Sequence, residues 1–352
     1  LRNAIQKRSF GFIDQKEVFE YTFFNKSGMS VSAINYGGAL TDISVINKRG
    51  KLENIILRFD SLADYLNPVN PYFGSLIGRY SNRIKDASFR LDNQIYRLGK
   101  NDNGNTLHGG FIGFDKVIWD IIPLADNSGI MLHYTSCDTD EGFPGELVVR
   151  VSYTLTDDNC LVIDYLATTN KPTPVSLTSH PYFNLSGGTD TTILNHILKI
   201  YGTQYVETGS MLLPTGKILN VANTPFDFRQ QKRIGRDIQS LPMGFDHSWV
   251  LNSNLLTHNQ LYLAAEVFEF QSGRSLLVYT DQPAVHFYSG NFLNGTLSSN
   301  QGARKFVQHA GFCLETQSYP DSPNNNNFPN SILYPGEKYN SSTVYKFSVN
   351  DY

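Results

Sequence analysis

Leu147-Val148-Val149-Arg150-Val151-Ser152-Tyr153-Thr154-Leu155 places an apolar side chain at every second position. Successive side chains of an extended strand point to opposite faces. Leu147, Val149, Val151, Tyr153 and Leu155 therefore share one face, and Val148, Arg150, Ser152 and Thr154 the other. Asp157-Asp158-Asn159 breaks the run, and Leu161, Ile163, Tyr165 and Ala167 resume it. Two alternating runs around a cluster of turn formers predict a β-hairpin.

The same pattern recurs on both sides. Tyr262–Phe270, a turn at Ser272-Gly273 and Leu276–Thr280 form a second candidate hairpin. Phe89-Arg90-Leu91, Asp92-Asn93 and Ile95–Leu98 form a third. Helical patterns are few: Ser61–Leu66 and Ile234–Leu241 allow a turn or two each. The 28 glycines and 15 prolines are spread along the chain and mark no linker. Many strands with regular turn signals, and no repeat of fixed period, predict an all-β fold: a large antiparallel β-sandwich forming one domain over residues 1–352. Asn324–Asn327 is the one low-complexity piece and reads as an exposed loop.

At 352 residues the chain can bury most of its apolar surface without disulfides. A formal net charge of −3, with no basic run among aromatics, argues against a nucleic-acid partner. No apolar run reaches the length of a membrane span. Cys137, Cys160 and Cys313 match no zinc or redox spacing, and their odd number suits a reducing, cytoplasmic compartment. The start, Leu1-Arg2-Asn3-Ala4, has neither initiator Met nor a signal-peptide pattern, which leaves room for a removed leader. The high aromatic content, 13%, suits strands and could wall a sugar site, although most of these rings are expected in the core.

Several chemistries have no signature. There is no Walker loop, no His-Glu-x-x-His and no Gly-x-Ser-x-Gly elbow. His108-Gly109-Gly110 lacks the strand and helix that a dinucleotide fingerprint requires. An enzyme of this composition is expected to work by proton transfer between ordinary side chains, with no cofactor and no metal.

Polar density gathers in Ile77–Ile84, Asn103–Gly110, Ser179–Leu185 and Gly311–Gln317, with a shorter piece at Phe245-Asp246-His247. Each has a structural reading. His-Gly-Gly is a turn signal. Asn82-Arg83 fits a surface loop with a salt bridge, and Asp246 fits a turn cap. Glu315 is different: it follows Phe312-Cys313-Leu314, which places a carboxylate in or beside a strand, where burial is costly unless it is paired. Five such segments together point to one shared pocket.

In order along the chain, Gly-Arg-x-x-Asn-Arg-Ile (78–84), His-Gly-Gly (108–110), His-x-Tyr-Phe-Asn-Leu (180–185) and Leu-Glu-Thr-Gln (314–317) resemble the galactose mutarotase, or aldose 1-epimerase, family. The resemblance runs from Asn35–Ala39 to Leu333–Tyr339. It implies a large β-sandwich and a cofactor-independent isomerase acting on a small-molecule sugar, as monomer or homodimer. It implies Glu315 as general base and His180 as general acid, with Asn82, Arg83, His108, Tyr182, Asp246 and His286 binding the sugar. Several positions depart from the family pattern. Pro181 follows the acid where Thr or Ala is expected, and Ser179 precedes it where Asn is common. Ser81 replaces Ala, and His286 stands where Gln often contacts the sugar.

That chemistry suits these residue types. Opening a hemiacetal ring removes the C1 hydroxyl proton and protonates the ring oxygen; reclosure on the other face reverses the roles. A carboxylate and an imidazole both change protonation near neutral pH. The alternatives are a phosphorylated-hexose 1-epimerase, which needs more cations than Arg79, Arg83 and Lys85; a glycoside hydrolase using Asp246 with Glu315; and a sugar-binding or sensing domain without catalysis.

Overall fold

The computed structural model describes residues 4–251, 256–257, 261–299 and 304–350. The central hairpin forms as Leu147–Leu155 and Cys160–Thr169, with Val149 opposite Ala167, Val151 opposite Tyr165 and Tyr153 opposite Ile163. Burial follows the alternation: Leu147, Val149, Val151, Tyr153 and Leu155 are buried while Arg150 is exposed. Asn159 closes the turn in the left-handed region, φ 63°, which asparagine tolerates better than most residues.

This hairpin is the middle of a ten-stranded sheet. From one edge the order is Asp120–Pro123, Gly129–Ser136, the hairpin, Tyr339–Val349, Arg274–Thr280, Leu261–Phe268, Ile197–Ile200 and Lys232–Arg233, with Leu256–Thr257 pairing to Leu261–Phe268 off this path. The second expected hairpin, Leu261–Phe268 with Arg274–Thr280, lies in this sheet. The third, Ser88–Leu91 with Gln94–Arg97, is a separate two-stranded ribbon. Two five-stranded sheets complete the frame: Gln6–Ile13 to Leu52–Asn54, and a second built from Pro214–Asn220, Gln204–Thr208, Asp246–Val250, Ala284–Tyr288 and Cys313–Gln317.

One apolar cluster joins the three sheets. It includes Phe23, Val31 and Ile43 from the first small sheet, Val149, Val151, Ile163 and Leu276 from the large one, and Trp249, Phe287 and Leu314 from the second small sheet. Fully burying each such side chain stabilises by roughly 1.5–3 kcal/mol. The layered antiparallel architecture is the expected all-β sandwich.

The two helical expectations are realised as single turns. Leu62–Tyr65 is capped by Ser61, whose Oγ accepts from the Asp64 N–H at 3.3 Å. The second region forms two 3-10 turns, Ile234–Arg236 and Ile238–Ser240. Of the asparagine run, Asn324, Asn326 and Asn327 are exposed, as expected, and Asn324 and Asn325 donate to Asp321, so the loop is anchored. Cys137, Cys160 and Cys313 are free thiols. Among the described residues no helix is long and apolar enough to cross a membrane.

Candidate active site

All five polar segments converge on one cleft of about 110 Å³. Asn82, Arg83, His108, His180, Tyr182, Asp246, His286 and Glu315 line it, so every candidate named from the sequence is brought together. The wall also contains Pro71, Tyr72, Leu107, Tyr288 and Phe292. The larger cleft around Asp227, Arg229, Lys232 and Asp237, about 760 Å³, gathers no buried acid–base pair.

Three adjacent strands supply the acidic side. The register of Asp246–Val250, Ala284–Tyr288 and Cys313–Gln317 sets Ser248 opposite His286, and His286 opposite Glu315. The last two strands are buried at every position. His286 and Glu315 face the cleft, while Phe287 and Leu314 face the core. Asp246 begins its strand, so the turn-cap reading does not hold.

The basic side comes from shorter pieces. Arg83-Ile84 pairs with Thr106-Leu107. Beyond that ladder, Asn82 and His108 bond reciprocally: the His108 N–H donates to the Asn82 carbonyl at 3.0 Å, and the Asn82 N–H to His108 Nδ1 at 3.1 Å. Asn82, His108 and Tyr72 all have left-handed backbones, φ 63°, 52° and 65°. Such conformations cluster where surrounding structure holds a functional side chain in place. Gly109 explains its own motif: a Cβ there would lie 2.0 Å from the Gly78 carbonyl oxygen. Asn82 and Arg83 are buried rather than in a surface loop, although the salt bridge exists: Arg83 Nε donates to Asp102 Oδ2 at 2.7 Å.

His180 follows Thr178-Ser179, which pairs with Leu76-Ile77. Its Nε2 lies 3.5 Å from Glu315 Oε1. Its Nδ1 lies 3.3 Å from the Cys313 thiol, and its ring stacks on Tyr182, centroids 5.1 Å apart. The Tyr182 hydroxyl donates to the Pro71 carbonyl, so Tyr182 backs the imidazole with its ring. Pro181 leaves the His180 placement intact: the His180 N–H bonds Ser75, and its carbonyl accepts from Gly74.

Glu315 is 1% exposed, and its Oε2 has no hydrogen-bond partner among the described residues. Burial drives its carboxyl well above the usual range, with the Asp246 charge adding to the rise and Arg83 opposing it. Burial pushes His180 down to about 4. Both shifts favour uncharged forms. The proton of the pair is therefore seated on Glu315 and not on His180. Burial also lowers His108 well below its usual value, with the His180 charge contributing. Asp246 is the exception. Burial would raise it, but the hydrogen bond and charge of His286 more than compensate, and it titrates below the usual range.

His108, His180 and Glu315 place ligand atoms within 4.8 Å of one another, close enough for a metal ion. The hydrogen bonds disfavour that use. His108 Nδ1 accepts from a backbone N–H, so the neutral ring carries its proton on Nε2. A ligating histidine normally donates with its other nitrogen. His108 is arranged to donate to a hydroxyl.

The sequence reading assigned no role to Tyr72, Tyr288, Phe292, Cys313, Ser248 or Asp102. Tyr72 and Phe292 lie in stretches that carry the resemblance, but an aromatic beside Pro71 or Asn291 does not differ in sequence from a core aromatic.

The aldose 1-epimerase family model matches residues 20–346. The galactose mutarotase of Bos taurus is 42% identical over 322 residues, 91% of this chain and 92% of its own length. The aldose 1-epimerase of Escherichia coli K12 is 37% identical over 333 residues, 93% and 94% of the two chains. Among solved structures, galactose 1-epimerase from Lactobacillus acidophilus superposes with a TM-score of 0.85 at 29% identity, covering 99% of each chain.

Proposed function

The chain belongs to the aldose 1-epimerase family, isomerases that interconvert the α and β anomers of a sugar, and we propose that Glu315 and His180 carry the proton transfers. The observation that supports this reading is the buried pair itself, His180 Nε2 and Glu315 Oε1 at 3.5 Å in one cleft. Sugar hydroxyls entering the cleft replace lost solvent and allow the ionised form, carboxylate with imidazolium. Glu315 then removes the C1 hydroxyl proton as His180 protonates the ring oxygen. The C1–O5 bond breaks and C1 becomes an aldehyde. The pair is now neutral acid and neutral imidazole, the state that burial favours. Rotation about C1–C2 and the reverse transfers give the other anomer. The proton count of the pair is the same before and after, so no outside acid or base is consumed. Positioned proton transfer of this kind typically contributes about 10²–10⁴-fold.

Asn82, Arg83 and His108 offer donors, and Asp246 an acceptor, for the remaining hydroxyls. Tyr182 and the other cleft aromatics suit the C–H faces of the ring. The substrate on this reading is a free hexose such as galactose or glucose, and residues 1–352 act as one domain. A phosphorylated sugar fits less well. The Arg79 guanidinium is spent on Ser136, Cys137, Pro144 and Gly145, away from the cleft, which leaves Arg83 as the single Arg or Lys among the cleft-lining residues.

Polarimetry on freshly dissolved α-D-galactose tests the reading. Wild type speeds the approach to the final rotation, and Glu315→Gln, folded by circular dichroism, does not. A folded wild type that accelerates neither galactose nor glucose overturns it in favour of a binding domain or a phosphorylated substrate.

A further inference from the structure

We propose that His286 and Ser248 are positioning residues that hold Asp246 as an oriented acceptor for the sugar, so that His286 acts through Asp246 and not by touching substrate. The inference rests on the sugar-binding reading of the cleft and revises the part His286 plays in it. His286 Nε2 lies 2.7 Å from Asp246 Oδ1. Its Nδ1 lies 2.8 Å from Ser248 Oγ. With both ring nitrogens engaged, the imidazole has nothing left to offer a sugar hydroxyl. Donation from Nε2 to the carboxylate requires Nδ1 to accept from the Ser248 hydroxyl in the neutral ring. Ser248 thereby fixes the tautomer, as an outer partner fixes a ligating histidine.

The register builds this chain. Ser248 and His286 are directly opposite on neighbouring strands, and Asp246 is two residues from Ser248, on the same face of its strand. Asn82 Nδ2 lies 3.4 Å from His286 Nε2, but two donors face each other there, and Asp246 remains the acceptor of the Nε2 proton. Serine, histidine and aspartate in contact suggest a nucleophile, but Ser248 is 2% exposed and does not line the cleft. Its hydroxyl has no path to a substrate.

Several titratable or charged groups face Asp246: His286, Arg83 and His247 act on it, and its own charge reaches Glu315, His180 and Tyr288. Removing the His286 donor leaves burial as the dominant influence on the carboxylate and lifts its titration. The test measures kcat, KM and the pH profile of kcat/KM for galactose mutarotation in His286→Leu, His286→Gln and Ser248→Ala, with folding checked by circular dichroism. His286→Leu is expected to raise KM about tenfold, the size of one hydrogen bond to a charged group. Its acid limb should move to higher pH, with a smaller effect on kcat. Ser248→Ala should move both readouts in the same direction by less, and it covers the case in which His286→Leu fails to fold. His286→Gln restores an N–H donor to Asp246 and should recover most of the lost KM. An unchanged KM and acid limb in the folded variants overturns the proposal, as does a His286→Gln no better than His286→Leu. Glu315→Gln run in parallel separates the two readings. If it is active, the acid–base assignment fails; if it is inert while the His286 variants behave as wild type, only the positioning role fails.

Discussion

The hairpin Leu147–Leu155/Cys160–Thr169 and the strand pair Ala284–Tyr288/Cys313–Gln317 are both antiparallel, and both contribute to the central core. They differ in what lies on the second face. Outside the hairpin is solvent, met by Arg150 and Asp164, both exposed. Outside the site strands is the cleft, and all ten of their residues are buried. A strand with one wet face stabilises by burying apolar area. A strand with two dry faces must also satisfy polar groups, and a charge left there unpaired is costly. Asp246 and His286 meet that cost by pairing. Glu315 Oε2 has no such partner among the described residues, and in the proposed reading the sugar supplies it.

The sharpest way to break the comparison is to alter one residue in each region. Glu315→Gln is expected to lower kcat by about 10²–10⁴-fold, the range for loss of a positioned acid–base group. Because folding at neutral pH forces the Glu315 carboxyl to take up a proton, which a neutral amide need not do, its thermal midpoint should hold or rise; a fall of several degrees would show that Glu315 is structural. Leu161→Ala in the hairpin should do the opposite. A cavity in a packed core costs about 2–5 kcal/mol, read from urea unfolding, while kcat/KM of the remaining folded protein stays near wild type. Activity lost in proportion to stability would mean the regions are coupled.

Acid separates them again. Burial holds His180 and His247 near about 4, and His108 well below its ordinary 6.5. The unfolded chain therefore takes up protons below about 6.5 that the folded chain refuses. The stability these histidines contribute is complete above that pH and is lost as pH falls toward 4. The raised Glu315 carboxyl acts in the opposite sense, so unfolding midpoints of Glu315→Gln at pH 7.5 and pH 5 should show the loss. No histidine lies between Leu147 and Thr169, so the Leu161→Ala increment should be the same at both pH values. The smallest effect is expected at His108→Ala. It removes a donor and leaves the Asn82 N–H unpartnered, raising KM about tenfold, the factor that one hydrogen bond supplies. An unchanged KM would return His108 to a scaffold role.

The amino-acid sequence by itself determined the hairpins, their register faces and the sandwich class, because a strand with one wet face must alternate. It also carried the eight candidate site residues, through motifs whose order is distinctive. The structural alternatives it offered for three of them do not hold: Asp246 is in a strand, not a turn cap, and Asn82 and Arg83 are buried. A polar residue beside glycine has the same appearance in a surface loop and in a cleft wall. Only the tertiary structure decided that His286 faces Asp246 and Ser248, that Tyr182 turns its hydroxyl to Pro71, and that Cys313 sits against His180. Apart from Asp246 with Ser248 and His180 with Tyr182, these residues lie far apart along the chain. The register of three strands brings Asp246, Ser248, His286 and Cys313 onto one wall, the packing of separate segments sets Pro71, His180 and Tyr182 against it, and no local pattern records that.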